Sequence, residues 1–294
     1  MTPQDYDYLR QCLKARSGLV LSADKQYLVE SRLLPVARKA GLANLGELVA
    51  ALKCVQQPAL MTAVVEAMTT NESFFFRDKT PFELFRLTIM PALLAARKNS
   101  RTIRIWCAAA ASGQEPYSLA MCMKEMEAEI AGWRIEIIAT DLSGEVLEKA
   151  RAGLYTQFEV QRGLPIQLLI RHFSQVGDLW QIAPDIRDMV RYRQLNLLAD
   201  FTQLGMFDIV FCRNVLIYFD QAAKTDVLNR IGRLTASDGY LVLGAAETVV
   251  GLTDRFKMAT DKRGLYVPNV NAARQSSSIG IKPGLRLVAV NGAR

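Results

Sequence analysis

The sequence predicts an α/β protein in three parts: an all-helical N-terminal domain, a doubly wound and mainly parallel sheet, and a small antiparallel β-subdomain inserted into that sheet. Three observations carry this. Up to about residue 70, apolar residues recur at helical spacing and no strand-like run interrupts them. From about Arg101 onward, β-rich runs alternate with helical segments, as they do when crossover helices join parallel strands. Between about Gly163 and Tyr192 that rhythm breaks, and short β-like pieces such as DLWQI and MVRYRQL take over.

The N-terminal elements follow in order. Tyr6, Leu9 and Leu13 share one helix face, and Gly18 offers a stop. A second helix is expected from about Ala23 to Lys39. A third fits Asn44 to Lys53, because Asn44 followed by Glu47 resembles a capping box. A fourth starts near Pro58, a favourable first-turn residue, and turns Leu60, Val64 and Met68 inward. In the second part TIRIWCAA, RIEIIAT, FDIVFC and GYLVLG read as strands. GQEPYSLAMCMKEM, SGEVLEKARAG and QAAKTDVLNRIGRL read as helices between them. The expected boundaries are residues 1–75 for the helical domain and 76–268 for the sheet domain, with the insertion at about 163–192. The tail, 269–294, reads as disordered, although LRLVAV within it could pair with something.

Composition narrows the function. With 294 residues, half of them hydrophobic, the chain can bury a core without staples. Its five scattered cysteines form no C-x-x-C pair, which fits reduced cytosolic thiols better than disulfides or zinc. The single histidine, His172, leaves no His-rich metal site. The start, MTPQDYDYLRQC, lacks the basic and apolar features of a signal peptide. No apolar run is long enough to cross a membrane. A cytoplasmic protein without membrane insertion and without a metal is therefore expected. Of the net charge of +7, four charges lie in the tail (Arg274, Lys282, Arg286, Arg294), which leaves the body at only +3. That is weak support for a nucleic-acid binder.

In such a sheet, ligands bind beyond the carboxyl ends of the strands, near the switch point. AAAASGQEP, residues 108–116, is a small-residue turn that lets backbone approach a ligand, but it lacks G-x-G-x-x-G. Glu115 would repel a pyrophosphate there and would suit an ammonium group. A solvated glutamate in a first helical turn would look the same. Asp141 ends RIEIIATD and could accept hydrogen bonds from a ribose diol, although Asp141 or Ser143 could equally cap the next helix. Asn196 could meet an adenine edge, and Arg213, Asn214 and Tyr218 cluster after a buried strand, where polar groups need a reason to be. In MTTNESFFFRD, residues 68–78, the three aromatics could be interdomain packing, with Asn71, Ser73 and Arg77 facing a shared cleft.

TTNESFFFR, SGQEPYS, ATD, NLL and FCRNVLIYF occur in that order. Together they resemble the CheR family of chemoreceptor glutamate methyltransferases, over about residues 5 to 268. The resemblance implies a Rossmann-like S-adenosylmethionine methyltransferase sheet and that cofactor. It also implies site residues. Asn71, Ser73 and Arg77 match the family's cofactor segment, with Arg77 near the reacting methyl. Glu115 matches the acid at the methionine part, Asp141 the ribose acid, and Asn196 and Leu197 the adenine side. Cys212 and Arg213 match a contact that is partly backbone, and Tyr218 matches a tyrosine beside the transfer position. The departures are Ser73 for threonine, Ala109 and Ala110 for glycine and cysteine, and Gln114 for an acid. The extra methyl at Ala109 bears on how closely backbone can approach the cofactor.

A glutamate with a pKa near about 4.3 is already an anion at neutral pH, so no general base is needed. Arg77 and Tyr218 are the expected orienting residues. The expected partner is the cytoplasmic domain of a chemoreceptor. Lys25, Arg32 and Lys39, spaced by seven, with Arg38 beside them, form a basic face that could dock an acidic receptor helix or simply be solvated. Some family members also hold a receptor's C-terminal pentapeptide on a glycine-rich loop of the subdomain. Here HFSQVGDLWQI, residues 172–182, has only Gly177, so no such tether is expected. Alternatives from other classes are a nucleic-acid methyltransferase and a non-catalytic cofactor-sensing adaptor.

Overall fold

The computed structural model of the chain describes residues 1–54 and 57–269. The expected disordered tail, apart from Asn269, lies outside the described residues. Helix α1 (Pro3–Ser17) is capped by Thr2 and Asp5 and stops at Gly18, which adopts φ 77°. Gly18 is also pressed against the sheet domain: a Cβ there would lie 2.8 Å from the ring of Phe219. The second helix begins later than expected. Ser22 hydrogen-bonds the Asp24 side chain instead of capping the backbone, and Ala23–Lys25 form one 3₁₀ turn before α2 (Gln26–Lys39). Asn44 caps α3 (Leu45–Cys54) by accepting from the Glu47 amide at 3.0 Å. Helix α4 (Pro58–Met68) buries Leu60, Val64, Val65 and Met68. Leu9, Leu13, Val29, Leu33, Leu48 and Val64 form the centre of this helical core.

The chain then passes through α5 (Thr80–Leu84) and a π turn, Phe85–Ile89, into α6 (Met90–Ala96). Pro91 lacks the N–H that a regular turn would use, which accounts for the widened turn ahead of it. The alternation expected from the sequence follows: β1 (Thr102–Ala108), α7 (Gln114–Glu125), β2 (Arg134–Asp141) and α8 (Gly144–Ala152). Next come β3 (Leu154–Thr156), α9 (Gln157–Gln161), α10 (Ile166–His172), β4 (Phe173–Val176), β5 (Leu179–Ile182), α11 (Pro184–Arg187) and β6 (Val190–Gln194). The chain continues with β7 (Phe207–Cys212), α12 (Gln221–Leu234), β8 (Thr235–Leu243), β9 (Phe256–Met258) and β10 (Leu265–Pro268).

The large sheet has the order β6-β2-β1-β7-β8-β10-β9. Its first five strands are parallel, and β10 runs antiparallel to both its neighbours, β8 and β9. Side chains alternate between its faces. Ile103, Ile105, Cys107, Ile209 and Phe211 pack with α7, whereas Trp106, Ala108, Val210 and Cys212 pack with α12. The small antiparallel sheet has the order β3-β5-β4.

Its limits differ from the sequence reading at both ends. Leu154–Thr156 joins it ahead of residue 163. The MVRYRQL run belongs instead to the large sheet, as β6, pairing in parallel with β2 (Val190 beside Ile137). Strand alternation marks a strand but not its neighbour, and here the neighbour lies far away in sequence.

Candidate active site

Strand order reverses at β1, which has β2 on one side and β7 on the other. Beyond the carboxyl ends of these strands and β6 opens a cavity with about 970 Å³ of atom-free space, its open mouth included. Asn71, Ser73, Arg77, Glu115, Asp141, Asn196, Leu197, Arg213 and Tyr218 all line it. These residues, proposed from the sequence, span almost the whole sheet domain and meet in one place. Ser17, Leu19, Thr69 and Thr70 from the helical domain close one wall. That domain is held there by Val20 N–H donating to the Tyr218 carbonyl at 2.9 Å and by a Lys14–Asp220 ion pair at 2.8 Å.

Cys212 is the exception. Successive β7 side chains point to opposite faces, and its thiol turns into the apolar layer against α12 with no exposure. Burial pushes that thiol well above its ordinary pKa. The wall after β7 is formed by Arg213, Asn214 and Val215 instead.

Asp141 is buried and binds two backbone amides, Ala111 N–H at 2.8 Å and Ser143 N–H at 3.0 Å, one on each carboxylate oxygen. The helix-capping role falls to Ser143, whose hydroxyl accepts from Val146. Each Asp141 oxygen keeps a lone pair, the complement of a diol. Burial pushes its carboxyl above the usual range, against the pull of the amides of Ser143 and Ala111. Glu115, in the first turn of α7, is likewise pushed up by burial and opposed by Arg213, whose Nη1 donates to it at 2.7 Å.

The loop between β1 and α7 carries Ala109 at φ 60° and Ala111 at φ 48°. Both are left-handed conformations, in which a glycine would carry less strain. Ala109 therefore does not prevent the turn; it adopts the backbone shape a glycine would give.

Asn196 lines the cavity, but its amide is partly engaged. It donates to the Arg16 carbonyl at 2.6 Å and accepts from Leu198 N–H at 2.9 Å. Arg77 lies over the ring of Phe74, and its guanidinium donates to the Glu72 carbonyl at 2.9 Å, its one side-chain hydrogen bond among the described residues. Of the three aromatics, Phe75 is packed edge-on between Tyr155 and Phe173 of the small sheet.

On the proposed docking face, Arg32 is committed inward. It donates to the carbonyls of Met68 and Thr69, both at 2.9 Å, at the entry to the cavity-lining segment. Lys25 lies in the 3₁₀ turn, 3.8 Å from Asp24. Arg38 and Lys39 are exposed and have no ion pair among the described residues.

Two acids that hold the site were not singled out in the sequence. Glu247, after β8, accepts from the amides of Asn214 (2.8 Å), Val215 (3.0 Å), Leu216 (2.8 Å) and Gly244 (2.8 Å). It fixes the loop that carries Tyr218. An acid just past a buried strand was its only sequence signal. Asp78 accepts from Arg213 at 2.7 Å.

The cavity thus presents the buried carboxylates of Glu115 and Asp141, with Glu72 also in its lining, and apolar side chains from Leu19, Leu142, Leu195 and Leu197. This set fits a ligand with a ribose diol, an ammonium group and no phosphate, such as S-adenosylmethionine. Comparison with known proteins agrees. Residues 4–69 match the CheR methyltransferase all-alpha domain and residues 71–265 the CheR methyltransferase SAM-binding domain.

The chain is 44% identical over 265 residues to chemotaxis protein methyltransferase 1 of Pseudomonas aeruginosa, covering 89% of this chain and 96% of that protein. It is 40% identical over 268 residues to the chemotaxis protein methyltransferase of Vibrio parahaemolyticus, covering 90% and 96%. With the Escherichia coli protein of the same name it shares 35% over 254 residues, covering 85% and 86%. No helix among the described residues is long and apolar enough to cross a membrane. The sheet is a methyltransferase sheet preceded by an all-helical domain, and the chain belongs to the CheR family of S-adenosylmethionine-dependent chemotaxis methyltransferases.

Proposed function

We propose that this chain esterifies glutamate side chains on the cytoplasmic domain of a chemoreceptor. The observation that carries the reading is the state of Arg77 at the cavity. Among the described residues its guanidinium makes one hydrogen bond, to a backbone carbonyl, so most of its donors are available to an incoming carboxylate. Asp141 would hold the ribose, Glu115 would face the ammonium group, and Asn71 and Ser73 would flank the cofactor. Asn196 has one N–H and one lone pair left for the adenine side, beside Leu197. S-adenosylmethionine would supply a methyl group on a cationic sulfur.

Arg77 and Tyr218 orient the glutamate. Orientation is the main contribution required of them, since a carboxylate is already ionised at neutral pH and near-attack positioning alone can be worth several kcal/mol. A nucleic-acid amine would call for different neighbours, and the body's small net charge gives little attraction for a polyanion. Arg38 and Lys39 are exposed cations with no ion pair among the described residues, and they suit an acidic receptor helix. Arg32 serves the same contact indirectly, by fixing the segment on which Asn71 and Arg77 lie.

The subdomain has a tight hairpin: Val176 pairs with Leu179, and only Gly177 and Asp178 lie between them. That supports recognition without a pentapeptide tether. Incubation with methyl-labelled cofactor, receptor fragment and RNA tests the function. Base-labile label on the receptor is expected. Label on RNA, or cofactor binding without transfer to either, would overturn it.

A further inference from the structure

Arg77 is displayed by an unusual piece of backbone. Phe76, Asp78 and Lys79 have φ values of 51°, 70° and 48°, so three non-glycine residues around it are left-handed. Such conformations persist only where the surroundings impose them. Two anchors are present. Ser118 on α7 accepts the Phe76 amide at 3.0 Å. Arg213, whose side chain is 1% exposed, donates through Nη2 to the Arg77 carbonyl at 2.9 Å and to Asp78 Oδ2 at 2.7 Å. Its Nη1 holds Glu115, and its guanidinium rests near the ring of Phe82. One buried cation therefore ties together the turn bearing Arg77, the first turn of α7 and the end of β7.

We propose that Asp78 and Arg213 form a clamp that sets the position of Arg77, with Asp78 as a positioning residue that need touch neither cofactor nor substrate. The proposal rests on the reading of Arg77 as the residue that receives the substrate carboxylate. Asp78 is the informative member, because Arg213 and Glu115 also line the cavity, and removing Asp78 leaves Arg213 paired with Glu115. It is also the more exposed of the two acids, at 39% against 12%.

Three variants separate clamping from backbone strain. Asp78→Ala removes the acceptor and keeps the strain. Asp78→Gly removes the acceptor and relieves the strain. Asp78→Asn keeps an acceptor oxygen and tolerates the left-handed conformation.

The clamp requires Asp78→Ala and Asp78→Gly to lose about a hundredfold in kcat, the scale of a small misplacement, while calorimetric affinity for S-adenosylhomocysteine stays near the parent value. Asp78→Asn should recover most of the turnover. Amide hydrogen exchange over residues 76–80, measured on the protein alone, should quicken in the Ala and Gly variants and remain slow in Asn. This readout stands even if the receptor is not the substrate, an outcome the parent enzyme's own turnover would reveal. Parental exchange and turnover in Asp78→Gly would overturn the clamp. So would a loss of cofactor affinity in proportion to turnover, which would place Asp78 in the cofactor site.

Discussion

Replacing Glu247 by glutamine should damage both stability and turnover, and the size of the effect follows from four hydrogen bonds. The carboxylate accepts Asn214 and Gly244 amides on Oε2, and Val215 and Leu216 amides on Oε1. Glutamine keeps one oxygen, so two amides lose their acceptor and face an NH₂ group instead. An unpaired buried donor costs about 1–3 kcal/mol, and the site is half-buried, so water recovers part of that. A net loss of about 3 kcal/mol is expected. At roughly 2–4 °C per kcal/mol for a chain of this size, the melting temperature should fall by about 6–12 °C. Below the transition, kcat should fall further than cofactor affinity, because the loosened loop carries Tyr218. Thermal unfolding and steady-state kinetics measure both. A melting temperature within about 2 °C of the parent, with unchanged kcat, would refute the view that Glu247 organises this loop.

Asp141→Asn should weaken S-adenosylhomocysteine binding by roughly 30- to 150-fold, the equivalent of about 2–3 kcal/mol for lost charge-assisted bonds, measured by calorimetry. Cofactor affinity should also depend on pH. Asp141 and Glu115 are both raised by burial, and the ligand is taken by their ionised forms, so affinity should be greatest above the raised values. It should decline as pH falls through the raised values, before the ordinary carboxyl range of about 4 is reached. In the ligand-free protein the sign for stability is opposite. These two groups favour the fold below their unfolded-state values, and that contribution is lost as pH rises through the raised ones; pH-dependent melting checks it. Arg38→Glu with Lys39→Glu should slow transfer to receptor and leave cofactor binding intact. The defect should shrink with salt, as exposed charges are screened over roughly 8–10 Å. Titration with an aromatic-acidic pentapeptide should show no binding tighter than about millimolar, and low-micromolar binding mapped to residues 172–192 would contradict the tetherless reading.

How much of this was legible beforehand depended on whether the signal was local. The strands β1, β2, β7 and β8 are buried runs, and the N-terminal helices carry clear apolar spacing and caps, so both could be read from neighbouring residues. Strand partnership could not. The MVRYRQL run looks the same whether it edges the small sheet or pairs with β2, and Leu154–Thr156 is too short to stand out. In the site, residues at strand ends were placed by the general geometry of such sheets, which is why so many of them meet at one cavity. At Cys212 the thiol belongs to the core, because one residue along a strand reverses the face, which leaves to it only a backbone contact, the kind the resemblance implies. Helical spacing put Arg32 on a basic face, but its carbonyl partners lie 36 and 37 residues away. The partners of Arg213 and Glu247 are likewise distant in sequence, and only the folded chain brings them together.

The helical domain forms part of the cavity wall. Ser17 and Leu19 reach the cavity, and Thr69 and Thr70 lead directly into Asn71 and Ser73. Anything that binds this domain would therefore lie beside the mouth of the site, an arrangement that suits a large protein substrate better than a small one.

The most direct test of the central claim is to locate the transferred methyl group. Purified protein, methyl-labelled S-adenosylmethionine and a receptor cytoplasmic fragment are incubated, and the fragment is digested and sequenced by tandem mass spectrometry. The account predicts methyl esters on glutamate side chains of exposed receptor helices, released as methanol by mild base and absent in Arg77→Ala. A base-stable methyl on a nitrogen or sulfur atom, or full esterification by Arg77→Ala, would contradict it.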